Sequence, residues 1–163
     1  RDKAIIQKSK LPSSFVALAI GGEWDYRTYN KWDSVVEKLI AQDNELNIIL
    51  VGSDNAKHSA KVIMDKFSSH KVTSYVAKLT FNQTAEIINR AKILVCCDGG
   101  LMHSANAVNT AIVPLFARLT EEMQLTESIS SFSLFDKHNV NNILVEDIII
   151  KYREASTFVH NHT

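Results

Sequence analysis

The sequence has little of several things that would otherwise direct its reading. It carries only two cysteines, Cys96 and Cys97. Adjacent in an apolar run, they point to opposite faces of a strand and cannot readily pair, so they read as small core residues of a reduced, cytosolic protein. There is no excess of charge either: 18 Lys and Arg balance 18 Asp and Glu. That balance removes any whole-domain electrostatic argument for nucleic acid or an anionic membrane surface, so an anion must be held locally. No apolar run reaches the roughly eighteen residues of a membrane-spanning helix, and no signal peptide is recognisable, so a chain that neither spans a membrane nor is exported by that route is expected. The six His are scattered and form no metal-ligand cluster. No G-x-G-x-x-G follows the first predicted strand, which counts against NAD or FAD, and the absence of G-x-x-x-x-G-K-[ST] counts against a P-loop ATPase. The chain begins at Arg1 rather than Met, and a piece of a longer protein is the expectation.

What is present is a regular alternation of apolar runs with amphipathic stretches. At 163 residues and 45% hydrophobic composition, the chain is long enough for one domain with a real core. Residues 1–14 read as a linker or lead-in segment closed by Pro12-Ser13-Ser14. Strands are predicted at Phe15 to Ile20, Asn47 to Val51, Val72 to Ala77, Ile93 to Cys97 and Ala111 to Phe116, with a weaker sixth at Ile129 to Phe135. Between the first two, Trp32, Val35, Val36, Leu39 and Ile40 mark the core stripe of a helix, in which the Trp is core rather than a ligand platform. Ala56, Ala60, Ile63, Met64 and Phe67 mark a second helix. Thr80 and Gln83 have the spacing of a capping box before a third, which runs to about Arg90. A last helix near Val145 to Ala155 carries Ile148, Ile149, Tyr152 and Ala155 as a stripe, and residues 156–163 read as a polar tail holding His160 and His162.

Strands alternating with helices imply right-handed βαβ units, so residues 15–155 are expected to form a Rossmann-like α/β domain with a doubly wound, mostly parallel sheet of about six strands. With strand order 3-2-1-4-5-6, ligands bind at the carboxyl ends of the first and fourth strands, where the order reverses. Gly21-Gly22 leaves the first of these strands and Asp98-Gly99-Gly100 leaves the fourth. The fourth strand runs into a glycine pair and then a helix, the layout of a phosphate-binding turn, with Asp98 as N-cap candidate. Leu101, Ala105 and Val108 mark the buried side of that helix, which leaves His103 and Asn106 to face a ligand. The plainer reading, a cap and a turn without a ligand, fits the local chemistry equally well.

Asp98-Gly99-Gly100-Leu101-Met102-His103, followed by small residues, resembles the D-[ST]-G-x-x-H segment of the family 9 glycosyltransferases, the bacterial heptosyltransferases of lipopolysaccharide core synthesis and their relatives. In them this segment holds the nucleotide-sugar diphosphate. Gly99 stands where a hydroxyl residue is usual, which removes one side-chain hydrogen bond to phosphate. Tyr26-Arg27-Thr28-Tyr29-Asn30-Lys31-Trp32 resembles the family's basic and aromatic segment, whose lysine contacts phosphate. Arg27 matches by distance from Gly21-Gly22, and Lys31 by its place before Trp. Arg27 is preferred, since a guanidinium grips phosphate oxygens in two places. Leu79 matches the segment whose backbone holds the base, and Asp54 is nearest to an acidic residue that holds a ribose hydroxyl, although a turn-forming Asp is as good a reading. Phe116-Ala117-Arg118-Leu119-Thr120 departs from the family's F-G-P-T.

The resemblance implies the second half of a GT-B fold. It implies a donor-binding domain of an inverting, metal-independent glycosyltransferase that uses ADP-heptose or a similar nucleotide-sugar as substrate, with no cofactor. Its partners would be an N-terminal acceptor-binding domain, which holds the catalytic carboxylate, and a glycan or lipid-linked acceptor, in the cytoplasm or at the inner membrane face. Part of the last helix would dock on that other domain, leaving its stripe incompletely covered. A reading from a different class is a stand-alone module that binds a nucleotide or another phosphorylated ligand without catalysis.

Overall fold

The computed structural model describes residues 11–22, 24–97, 101–102, 105, 110–117 and 131–162. Six strands form one sheet: β1 (Val16–Ala19), β2 (Ile48–Val51), β3 (Val72–Ser74), β4 (Ile93–Cys97), β5 (Ala111–Ala117) and β6 (Leu134–Asp136). Their order is β3-β2-β1-β4-β5-β6 and every pairing is parallel. This is the expected 3-2-1-4-5-6 arrangement, with its reversal between β1 and β4. Continuous apolar runs produce it because both faces are covered. Val16, Leu18 and Ile20 enter one core layer, while Phe15, Ala17 and Ala19 enter the other. Cys97 and Cys96 divide in the same way and are both buried.

The first layer lies under α1 (Trp32–Gln42), α2 (Lys57–Phe67) and α4 (Val145–Asn161), and the second under α3 (Phe81–Arg90) and the helical residues Leu101, Met102 and Ala105. Met102 and Ala105 are fully buried and Leu101 is partly so; Asn106 and Val108 lie outside the described residues. Trp32 is 1% exposed and meets Tyr29 edge-on at 5.3 Å between ring centroids. Its indole Nε1 has no hydrogen-bond partner among the described residues. That omission costs about 1–3 kcal/mol, whereas burying roughly 200 Å² of indole at about 25 cal/mol per Å² gains about 5 kcal/mol, so the apolar term decides its place.

Three element ends differ from expectation. β3 stops at Ser74 rather than Ala77. Beyond it Tyr75 and Ala77 N–H still bond Leu50 O and Gly52 O (2.9 Å each), but Val76 N–H turns to Ser74 Oγ (3.2 Å), Ala77 adopts a left-handed conformation (φ 60°), and Lys78 N–H closes a turn on Tyr75 O (3.2 Å). β6 is shorter than expected, with an isolated bridge from Ser131 to Ile112 before it; Ile129 and Ser130 lie outside the described residues. α4 continues through Asn161, well past Ala155. Its last turns have packing of their own: Val159 lies on the core, and Phe158 meets the Phe132 ring at 5.8 Å.

The same helix overturns the expected docking of its stripe on another domain. Ile148, Ile149, Tyr152 and Ala155 are all buried, at 0, 4, 8 and 0% exposure. They fit against α1, β4, β5 and β6 within this fold, which removes the reason for the proposal.

Candidate active site at the carboxyl ends of the strands

β1 and β4 run in register, Ala19 beside Cys96, so the exit of β1 lies next to the strand that feeds Asp98. Asp98, Gly99, Gly100 and His103 lie outside the described residues. Around the β4 exit, three neighbouring strand exits are linked. Ile20 N–H bonds Val51 O (3.1 Å), Asn55 Nδ2 donates to Gly22 O (2.9 Å), and Ala77 N–H donates to Gly52 O (2.9 Å). The ends of β1, β2 and β3 thus form one connected crest.

The glycines owe their place to this crest. A Cβ on Gly21 would come within 2.5 Å of Asn55 Oδ1, and one on Gly22 would run into the Thr28 hydroxyl, with the Thr28 Cα at 3.0 Å. Gly52 has φ 152° and would bring a Cβ to 2.8 Å from that of Ala56. Neighbouring chain is therefore by itself a sufficient reason for the small residue at Gly21 and Gly22. Sequence reasoning did not single out Asn55, whose side chain also accepts from Ser53 Oγ at 3.2 Å.

After Gly22 the chain makes a 3-10 turn, Asp25–Arg27, closed by Arg27 N–H to Trp24 O (2.9 Å), Thr28 N–H to Asp25 O (3.2 Å) and Thr28 Oγ1 to Trp24 O (2.7 Å). This turn packs against β5 and against a second 3-10 turn, Val140–Asn142. Because β4 lies between β1 and β5, a loop that leaves β1 and touches β5 must pass beside the β4 exit. Partly buried Arg27 is on that loop.

Lys31 is further engaged. Its Nζ donates to Asn141 O at 2.9 Å and sits 5.9 Å from the Tyr29 ring centroid. Tyr29 is fully buried, its hydroxyl donating to Ile143 O at 2.9 Å, and burial chiefly, with Cys97 and Glu146 nearby, pushes its pKa up to about 12. Asn141 makes three bonds to the same loop: Oδ1 accepts from Asn30 N–H (2.8 Å), Nδ2 donates to Thr28 O (2.9 Å), and its carbonyl takes Lys31. Nothing in the sequence around Asn139 to Asn142 reveals partners more than a hundred residues away.

Asp54 opens the 3-10 turn after β2 and pairs with Lys57 at 3.6 Å, both side chains mostly exposed. Leu79 is partly buried against the α3-side core layer, immediately before the predicted capping box, which forms with both bonds (Thr80 N–H to Gln83 Oε1 2.9 Å, Gln83 N–H to Thr80 Oγ1 3.2 Å). Gly21, Gly22, Arg27 and Lys31 share the β1 loop, Asp54 is one strand exit away, and Leu79 lies beyond β3. Among the described residues no group of three or more His, Cys, Asp or Glu could hold a metal ion, and no helix is long and apolar enough to cross a membrane.

The family model for glycosyltransferase family 9 (heptosyltransferase) matches residues 2–136. The chain belongs to glycosyltransferase family 9. None of the curated proteins matches it. Among solved structures it is similar to the ADP-heptose lipopolysaccharide heptosyltransferase II of E. coli, with TM-score 0.79 and 15% identity over 94% of this chain and 50% of that one. A family 9 glycosyltransferase from Veillonella parvula gives TM-score 0.78 and 12% identity over 99% and 51%. A UDP-GlcNAc 2-epimerase from Methanocaldococcus jannaschii gives 0.70 and 14% over 93% and 41%. At these identities the likeness is one of fold, the Rossmann-like α/β layout of GT-B glycosyltransferases, and this family 9 chain spans about half the length of its solved relatives.

Proposed function

We propose that this chain is the donor-binding half of an inverting, metal-independent glycosyltransferase that transfers a sugar from a nucleotide diphosphate, with ADP-heptose or a similar ADP-sugar as donor, in lipopolysaccharide or other cell-envelope glycan synthesis. The carrying observation is the family match over residues 2–136 on a sheet whose reversal lies at the β1 and β4 exits. The ADP reading is supported by two similar solved structures, E. coli heptosyltransferase WaaC with ADP and with ADP-2-deoxy-2-fluoro heptose.

In this reading the helix N-terminus after Gly99-Gly100, with Arg27 and His103, stabilises the departing diphosphate, where negative charge develops as the glycosidic bond breaks. Leu79 backbone atoms hold the base and Asp54 the ribose. A carboxylate of a second, acceptor-binding domain deprotonates the acceptor hydroxyl. That acceptor is a glycan or lipid-linked sugar at the cytoplasmic face of the inner membrane.

Calorimetric titration of the chain with ADP and UDP tests this. ADP is expected to bind more tightly than UDP. Gly100→Val is expected to abolish binding with little loss of fold, since a branched side chain would occupy space needed by a phosphate oxygen, while His103→Ala weakens it modestly through loss of one hydrogen bond. Unchanged binding by Gly100→Val would move the ligand elsewhere. The chain alone is expected to show no transfer from ADP-heptose; robust transfer would sink the division of labour between two domains.

A further inference from the structure

We propose that Asn141 is a positioning residue for the donor diphosphate: it clasps the β1 loop so that Arg27 is held in one place over the β4 exit. The inference deepens the function proposed above and rests on it. Three polar groups of Asn141 go to this loop, on Thr28 O, Asn30 N–H and Lys31 Nζ. With Arg27 N–H bonded to Trp24 O, the backbone is fixed on both sides of the Arg27 side chain.

The clasp is itself held from behind. Asn139 Oδ1 accepts from both Asn141 N–H (2.9 Å) and Asn141 Nδ2 (3.0 Å). Asn139 N–H in turn donates to Asp136 Oδ2 (2.9 Å), which also accepts from His138 N–H (2.9 Å) and Asn142 Nδ2 (3.0 Å). A chain of fixed polar groups therefore runs from the end of β6 to the loop after β1.

Satisfaction of buried groups explains only part of this. The bonds to Thr28 O and Lys31 Nζ are partly buried, but the Asn30–Asn141 bond is exposed, and water would serve the Asn30 N–H as well. What Asn141 adds is location, and small displacements of a group that grips a substrate are felt strongly in binding and rate.

The test is a cycle of ADP titrations on the chain: parent, Asn141→Ala, Arg27→Ala and the double variant, with thermal unfolding of each. Asn141→Ala is expected to weaken ADP about tenfold while cooperative unfolding persists, and to weaken it less than twofold further once Arg27 is already Ala. An equal loss in both backgrounds, or no loss at all, overturns the clasp as a device for Arg27. So does a parent-like affinity in Arg27→Ala. Asn141→Asp keeps the acceptor for Asn30 but puts an oxygen against Thr28 O, and is expected to reproduce the loss. If neither Asn141 variant unfolds cooperatively, the residue is structural and the proposal fails. A parent that binds neither ADP nor UDP would instead overturn the proposed function.

Discussion

Two loops at the same end of the sheet are held in opposite ways. The exit from β3 is closed by near neighbours: the Thr80–Gln83 capping box, Val76 N–H on Ser74 Oγ, and Lys78 Nζ on Ser74 O at 3.2 Å. The exit from β1 makes a small turn of its own but is fastened by Tyr29 to Ile143 and by Asn141 to residues 28–31, across 110 to 114 positions of sequence. A locally closed loop takes its shape from its own segment. A remotely closed one takes it from the completed fold, and substitutions at either end of the fastening should be felt at the other.

The largest expected effect that tests this contrast is at Gly22. Gly22→Val would place a branched side chain against Thr28. It is expected to destabilise by about 2–3 kcal/mol, as overpacking does, and to remove ADP binding; urea unfolding beside titration reads both. Parent-like stability would mean that the β1 loop is not tightly held.

Next is Tyr29→Phe, which leaves Ile143 O without its buried donor and is expected to lower stability by about 1–3 kcal/mol. Its pH dependence sharpens the point. Burial raises the folded-state pKa of Tyr29 to about 12, while the unfolded chain ionises near pH 10, so the unfolded state loses its proton first. Stability is then fully retained below about pH 10 and falls as pH rises toward 12, at roughly 1.4 kcal/mol per pH unit for one such group. Tyr152, raised to about 12 by burial and then by Asp43, adds to the same fall. Chemical denaturation between pH 9 and 11, taken on parent and Tyr29→Phe, should show a shallower decline in the variant; identical declines would argue against the buried hydroxyl.

For the locally closed loop, Thr80→Ala is expected to cost about 1 kcal/mol through loss of the cap, with ADP affinity changed less than the stability. The smallest effect has the opposite sign. Ala77 sits at φ 60°, a conformation costing an L-residue about 1–2 kcal/mol, so Ala77→Gly should gain about 0.5 kcal/mol after glycine's greater backbone entropy is subtracted. A melt that shows loss instead would mean that the Ala77 methyl packing on the α1-side core outweighs the strain.

What was legible in the sequence follows the same division. β1, β2, β4 and β5 were readable because burial on both faces leaves uninterrupted apolar runs, and alternation with helices implied a parallel sheet, for which 3-2-1-4-5-6 is a common order. The capping box was readable because both its partners lie three residues apart. The ends of β3 and α4 were not: β3 ends in a turn, closed by Lys78 N–H on Tyr75 O, that puts a non-glycine residue, Ala77, in a left-handed conformation, and α4 runs on because Phe132 and the core give Phe158 and Val159 something to cover. Asn141 and Asn55 were missed for the same reason, since an asparagine in a turn looks alike whether it caps its own segment or reaches across the fold. Arg27 and Lys31 both stood as candidates in sequence, with Arg27 preferred, and the structure shows Lys31 Nζ bonded to Asn141 O.

The span of 113 residues between Thr28 and Asn141 also has a meaning in time. At roughly 5–20 residues per second, a ribosome that has just made the β1 loop needs on the order of ten seconds to make its clasp. During that interval β1, β2 and β3 can pair while the Arg27 turn has no remote anchor. Nucleotide would therefore find its full grip only once Asn141 has been made and folded back, and a nascent chain stalled before Asn139 should hold a sheet without holding ADP.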